Sequence, residues 1–308
     1  MFFPGRLRPR ALFLTVAWTL FVALAGCGSV QPPVTAKSTP VDARPNGIAL
    51  RPSDGTIFIT DDKTSTVLSS SHGAAFAAFA SIPPAAGQGV SLSQIAFTDS
   101  GSLLVERFGF GSASAIFDIR GSGPAVPLAG IDPLRRRLGL TVIGDGKMLS
   151  SWFVKAGNAP PRGGVSIVTY DPSTHAAVER DLLTGLGKPV GMAVKGDTLF
   201  VADQEQNVIV KASLGALLSA SGPATSAAIQ AHIDGPDLMA IDDGGTLYTK
   251  CTPTGLCKVA PDGTVSVIAN DFQDARGMAI DAGHHVLYVI DRAHSASGTS
   301  YVRTVPLK

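Results

Sequence analysis

Short apolar runs alternate with tight polar turns along most of the chain. From residue 44 it reads RPNGIALRPSDGTIFITDD: a turn at Pro45–Asn46–Gly47, an apolar run from Ile48 to Leu50, a second turn at Ser53–Asp54–Gly55, and alternation from Ile57 to Thr60. Apolar runs this short, with period two and turn residues at each end, predict two strands of a hairpin. The pattern returns with starts at Ser93, Leu138, Val190, Asp237 and Arg276, which are 47, 45, 52, 47 and 39 residues apart counted from Asn46. A repeat of this length built from short strands predicts a β-propeller with one four-stranded blade per repeat.

Within each repeat the first strand is nearly all apolar and is expected innermost, buried on both faces. Gly47, Gly139, Gly191 and Gly277 stand in its first turn, where a missing Cβ lets strands crowd near the axis. The second strand alternates, as in TLFVAD. Third strands are legible in STVLSS, SAIFDI, GVSIVTY, NVIVKA, LCKVA and YVRTVPL; fourth strands in AAFAAF, AVPLAG, AAVERDLL, SAAIQAHI and TVSVIAND. The sixth repeat stops at its third strand, leaving an open edge. The segment from Ala36 to Ala43 is the expected donor of the missing strand. The expected fold is therefore all-β: a six-bladed propeller of four-stranded antiparallel blades, the last closed by the N-terminal segment. One helix is expected, over SLGALLSA at 213–220.

Ahead of the repeats, residues 1–10 carry Arg6, Arg8 and Arg10 and no acid, and the 16 residues from 11 to 26 carry no charge. This reads as an export leader, short for a membrane span. It ends in Leu24–Ala25–Gly26–Cys27, which resembles the bacterial lipobox. That resemblance implies cleavage before Cys27 and lipidation of its sulfur; the alternative is an ordinary secretory leader with an incidental cysteine. Gly28 rather than Asp then favours the periplasmic face of the outer membrane in a cell with two membranes. The expected partition is a leader over 1–26, a Pro/Ser/Thr-rich tether over 27–40, and the propeller over 41–308, about 265 residues and enough for one large core.

The leader takes three of the 25 basic residues, so the mature chain has two more acidic than basic side chains, there being 24 acidic ones. No basic stripe speaks for nucleic acid, and a monomer is expected. The one charge cluster, Arg135–Arg136–Arg137, reads as a solvated loop, with an anion site as the alternative. Cys251 and Cys257 flank TPTGL between two strands; in an exported protein they are expected to form a disulfide across a hairpin. Zinc needs four ligands and no histidine lies near them. His284–His285 falls at a hairpin tip, and His72, His175, His232 and His294 are scattered without partners at ligand spacing.

RPNGIALRPSDGTIFITDD and GPDLMAIDDGGTLYTK resemble blades of the senescence-marker-protein/gluconolactonase/luciferin-regenerating-enzyme family, and KPVGMAVKGDTLFVADQEQNVIVKAS resembles an NHL repeat. The resemblance spans residues 44–308 and implies a six-bladed propeller. In the gluconolactonase-like enzymes it also implies a divalent cation at one mouth of the channel. Asn46 matches the family's Pro-Asn-Gly ligand. Asp237 matches its Pro-Asp-Gly ligand, with Leu238 in place of the glycine. Around the ring this position holds Asn46, Ser93, Leu138, Val190, Asp237 and Arg276. Calcium takes six to eight oxygens, and this ring offers few. Arg276, next to Asp237 in ring order, is expected to pair with it and repel a cation. Glu106 is the nearest candidate for the family's glutamate, but it ends a second strand. A second column, Asp61, Arg107, Trp152, Asp203, Cys251 and Asp291, closes the second strands; the recurring aspartates are expected to serve turns.

Two functions follow as expectations. The first is a lipid-anchored envelope propeller that binds a protein or small molecule at its mouth through Asn46, Ser93, Asp237 and Arg276, without a cofactor. The loop VKAGNAPPRGG at 154–164 is a candidate rim. The second is a calcium- or zinc-dependent lactonase or esterase with Asn46 and Asp237 as metal ligands and Asp203 or Asp61 as base.

Overall fold

The computed structural model describes residues 37–71 and 74–307 and resolves the repeats into six antiparallel sheets of four strands each. Blade 1 runs outward through Pro45–Leu50, Ile57–Asp61, Thr66–Ser70 and Ala77–Ser81. The inner strands of blades 2 to 6 are Val90–Phe97, Arg136–Gly144, Pro189–Lys195, Met239–Ile241 and Ala275–Asp281. The fourth strand of blade 2 is reduced to Val126–Pro127. Helix Leu214–Ser219 occupies the expected stretch; Ser213 caps it by accepting from the Ala216 amide, which satisfies one of its free first-turn donors.

The sixth blade closes as a clasp. Strand Lys37–Val41 pairs antiparallel with Ser300–Pro306, from Lys37 opposite Thr304 to Val41 opposite Ser300. The Ser300 hydroxyl adds a 3.0 Å bond to the carbonyl of Ala43. The clasp takes up Lys37 to Pro40, within the Ala36–Ala43 segment expected to donate the strand and overlapping the end of the expected tether. Residues 27–36, Cys27 among them, lie outside the described residues, as does His72.

The core is a ring of interblade wedges. Phe58 and Val67 of blade 1 pack on Leu92, Val105 and Phe117 of blade 2. Leu104 and Ile116 of blade 2 meet Leu140 and Val168 of blade 3. The ring closes where Val41, Ile290 and Val302 of blade 6 meet Ile48 and Ile59 of blade 1. Each blade is thus apolar on both faces of its inner half, which accounts for inner strands that read as continuous apolar runs.

The glycines of the first strands work as expected. A Cβ on Gly47, Gly139, Gly191 or Gly277 would collide with the carbonyl of Ser93, Val190, Asp237 or Asn46, respectively, on the following blade. A buried hydroxyl completes two of these contacts. Thr60 accepts from the Gly47 amide (2.8 Å) and donates to the Ser93 carbonyl (3.2 Å). Ser151 does the same between Gly139 (2.9 Å) and Val190 (2.8 Å). These bridges satisfy backbone groups that the axial crowding seals from water.

The arginine cluster is not a solvated loop. Arg137 is wholly buried on the inner strand of blade 3 and grips Glu179 of that blade's outer strand at 2.7 and 3.0 Å. Arg135 bonds Asp181 at 2.6 Å and lies 4.0 Å over the Trp152 ring. Arg136 covers Phe110 at 4.8 Å. A run of like charges reads as exposed only when no acids are known to face it. Here Glu179 and Asp181, more than 40 residues away, supply the partners.

Candidate functional site

A cavity of about 570 Å³ opens at the mouth where inner strands begin and second strands end. Its lining comes from blades 1, 2, 3, 4 and 6. Asn46, Arg276 and Leu138 of the ring line it; Ser93 and Asp237 are buried behind the surface. The structure thus separates the four sequence candidates. Asn46 donates from Nδ2 to the Leu92 carbonyl at 3.1 Å, and Ser93 donates to the Leu138 carbonyl, so both tie neighbouring blades together.

Asp237 is spoken for on both oxygens. Oδ1 accepts from the Leu238 amide at 2.9 Å and Oδ2 from Arg276 at 2.9 Å. Arg276 is held on its other side by Asp274 at 2.7 Å, and Asp274 also meets Lys250 at 2.6 Å. Burial pulls the Arg276 guanidinium down, but Asp237 and Asp274 outweigh it and leave it above its ordinary range. The cation that Asp237 faces is therefore a guanidinium of the protein itself.

The family's metal does not fit these residues. Among the described residues no three His, Cys, Asp or Glu side chains gather as a metal-holding group. Asp237, the one carboxylate of the ring, is ion-paired to Arg276. Glu106 is no ligand either: it is fully buried between blades 2 and 3, where Ser150 donates to its Oε1 at 2.6 Å and its Oε2 has no hydrogen-bond partner. Burial pushes its carboxyl up to about 8, against the opposing pull of the Ser150 bond and Arg137.

The aspartate column serves turns. Asp203 accepts from the amides of Gly187 (2.7 Å) and Lys188 (2.9 Å), Asp61 from Arg44 (2.7 Å) and Lys63 (2.9 Å), and Asp291 from Gln273 (2.7 Å). Each staples the chain entering the first strand to the end of the second. Their oxygens are occupied by these backbone donors. The other column members act differently. Arg107 lies 5.0 Å over the Phe117 ring, and Trp152 donates to Ser166 at 2.6 Å. Cys251 and Cys257 are disulfide-bonded, with Cα atoms 5.7 Å apart. His284 is an exposed tip bonded to Asp281 at 2.7 Å.

Sequence reading missed most of the cavity's cations. Arg44, Lys63, Lys188, Arg276 and Arg292 line it against two carboxylates, Asp42 and Asp62. Arg292 pairs with Asp62 at 3.3 Å, and Lys63 with Asp42 at 2.8 Å. Burial raises the Asp62 carboxyl, partly offset by Arg292. Lys188 bonds the neutral amide oxygen of Gln204 at 2.6 Å. Burial pushes its ammonium below the ordinary lysine range; Asp237 opposes this and Arg276 adds to it. The available signal was position: Arg44, Lys188 and Arg276 each stand at or just before the start of a first strand.

No family model matches the chain, and no curated protein matches it in sequence. Solved structures do match in fold. A luciferin-regenerating enzyme aligns with a TM-score of 0.65 and 11% identity, covering 88% of this chain and 95% of the other. A gluconolactonase from Xanthomonas campestris aligns at 0.64 and 17% identity, covering 88% and 90%. Virginiamycin B lyase from Staphylococcus aureus aligns at 0.54 and 10% identity, covering 88% and 99%. At these identities the likeness is one of fold: six four-stranded blades define a six-bladed propeller like that of the luciferin-regenerating enzyme and the gluconolactonase.

Proposed function

We propose that this chain is a binding module of the bacterial cell envelope, anchored by lipid on Cys27, whose mouth cavity takes a small-molecule ligand without a metal. The observation that carries the reading is the Arg276–Asp237 pair, which occupies the carboxylate that a cation would need. The likeness to gluconolactonases suggests a lactonase instead, but fold hosts many functions, and neither the ring residues nor the occupied aspartates favour metal-assisted hydrolysis here.

The test is a thermal-shift titration of the purified chain with calcium and with zinc, run beside Asp237→Ala. The expected result is no cation-dependent rise in melting temperature in either protein. A rise that Asp237→Ala abolishes overturns the proposal in favour of the metal-dependent lactonase. The anchor has its own test: Cys27→Ser is expected to release the chain from membranes or leave its leader uncut. Membrane partition of a cleaved Cys27→Ser chain contradicts lipidation.

A further inference from the structure

The mouth cavity has two unlike walls. Blades 2 and 3 contribute Val90, Phe108, Leu138 and Phe153, and the Phe108 and Phe153 rings lie 6.1 Å apart, centroid to centroid. Blades 1, 4 and 6 contribute the cations. A 570 Å³ cavity with one apolar wall and a few convergent polar groups has the dimensions and character of a small-molecule site.

The cationic wall is not fully neutralised. Arg276 and Arg292 have their carboxylates, but among the described residues no carboxylate forms an ion pair with the Lys188 ammonium or the Arg44 guanidinium. Lys188 is the more telling of the two. It is half-buried, held by a neutral amide, and stands against Phe153 at 5.9 Å, where the two walls meet. Arg276 adds a second positive charge in its field. A half-buried ammonium with no carboxylate at ion-pair distance is only partly compensated, Asp237 and Glu205 acting on it from farther off, and a ligand that brings an anion to it gains a charge-assisted bond.

We propose that the mouth cavity receives an amphipathic organic anion, its charged head against Lys188 beside Arg276 and its apolar or aromatic body against Phe108, Phe153 and Leu138. This rests on the reading of the cavity as a ligand site and names the ligand's chemical class. The same net positive charge that attracts the anion disfavours a divalent cation at this wall. Lys188 has donors beyond the one it spends on Gln204, and Asn46 with Ala293, Ser295, Ala296 and Gly298 completes the rim.

The test is isothermal titration of the full chain with three probes: 2-naphthoate, 2-naphthylmethanol and inorganic sulfate. The expected order places 2-naphthoate about tenfold or more tighter than either of the others, since a charge-assisted bond and an apolar contact each contribute. Lys188→Gln, which keeps a side chain able to reach Gln204, is expected to lower the naphthoate affinity about tenfold and leave naphthylmethanol unchanged. Lys188→Arg is expected to retain binding. An unchanged melting temperature in Lys188→Gln assigns the loss to the site. Equal affinity for naphthoate and naphthylmethanol, or naphthoate binding indifferent to Lys188→Gln, overturns the charge assignment while leaving the cavity a ligand site. Sulfate binding as tight as naphthoate overturns the apolar half, and no binding of any probe overturns the inference as a whole. The cation titration above decides the broader reading separately.

Discussion

The guanidinium of Arg276 stands 2.9 Å from the carboxylate of Asp237, joining the inner strands of blades 5 and 6 at the channel mouth. Asp237 is 3% exposed, so the pair is shielded from water on the carboxylate side. Breaking it by removing one partner strands a buried charge, which typically costs about 3–5 kcal/mol. Asp237→Ala and Arg276→Ala are each expected to destabilise toward that range, Arg276→Ala also freeing Asp274. The double variant is expected to cost clearly less than the two singles combined. Additive losses in urea denaturation contradict the pairing as the source of the effect.

Glu106 makes stability depend on pH. Its folded carboxyl titrates at about 8, well above its ordinary value of 4.5. The folded state therefore holds a proton that the unfolded chain releases, and stability falls as pH rises from about 4.5 through 8. Full ionisation costs the fold on the order of 5 kcal/mol, at about 1.4 kcal/mol per pKa unit. Glu106→Gln keeps an acceptor for Ser150 and carries no charge. It is expected to match the wild type near pH 4.5 and exceed it in stability at pH 9. Parallel pH–stability curves for the two proteins rule this out.

The clasp predicts a sharp boundary in truncations. Val41 and Ala43 pack with Ile290 and Val302, and Lys37–Val41 covers the outer edge of the last blade. Deleting residues 28–43 is expected to lower the melting temperature and promote aggregation through the bared edge. Deleting 28–34 is expected to leave both unchanged. Equal melting temperatures for the two truncations contradict the closure.

The Cys251–Cys257 bridge closes a short loop across one hairpin. Its expected contribution is at or below the roughly 2–4 kcal/mol of a typical disulfide, because short loops lose little entropy on closure. Reduction, or the double Cys251→Ser, Cys257→Ser change, is expected to cause a modest loss of melting temperature without loss of fold. Intact mass with alkylation under non-reducing conditions checks the bond directly: two modified thiols exclude it.

The sequence by itself determined the ring: six repeats, the inner-strand glycines, the need for a borrowed strand and the cysteine hairpin. Each is set by spacing along the chain, and alternation with turn chemistry records spacing directly. The neighbourhood of Asp237 and Arg276 was legible for the same reason, since ring order follows repeat order. The tertiary structure alone decided where charge sits. Arg137 looks like a solvated arginine until the fold brings Glu179 beneath it. Glu106 reads only as the end of a second strand until blade 3 closes over it. Lys188, Arg276 and Arg292 share a cavity because ring closure brings repeats four and six to one mouth with repeat one. The pattern of a strand says which face a side chain leaves from; what meets that face depends on the next blade, and the chain does not write that contact locally.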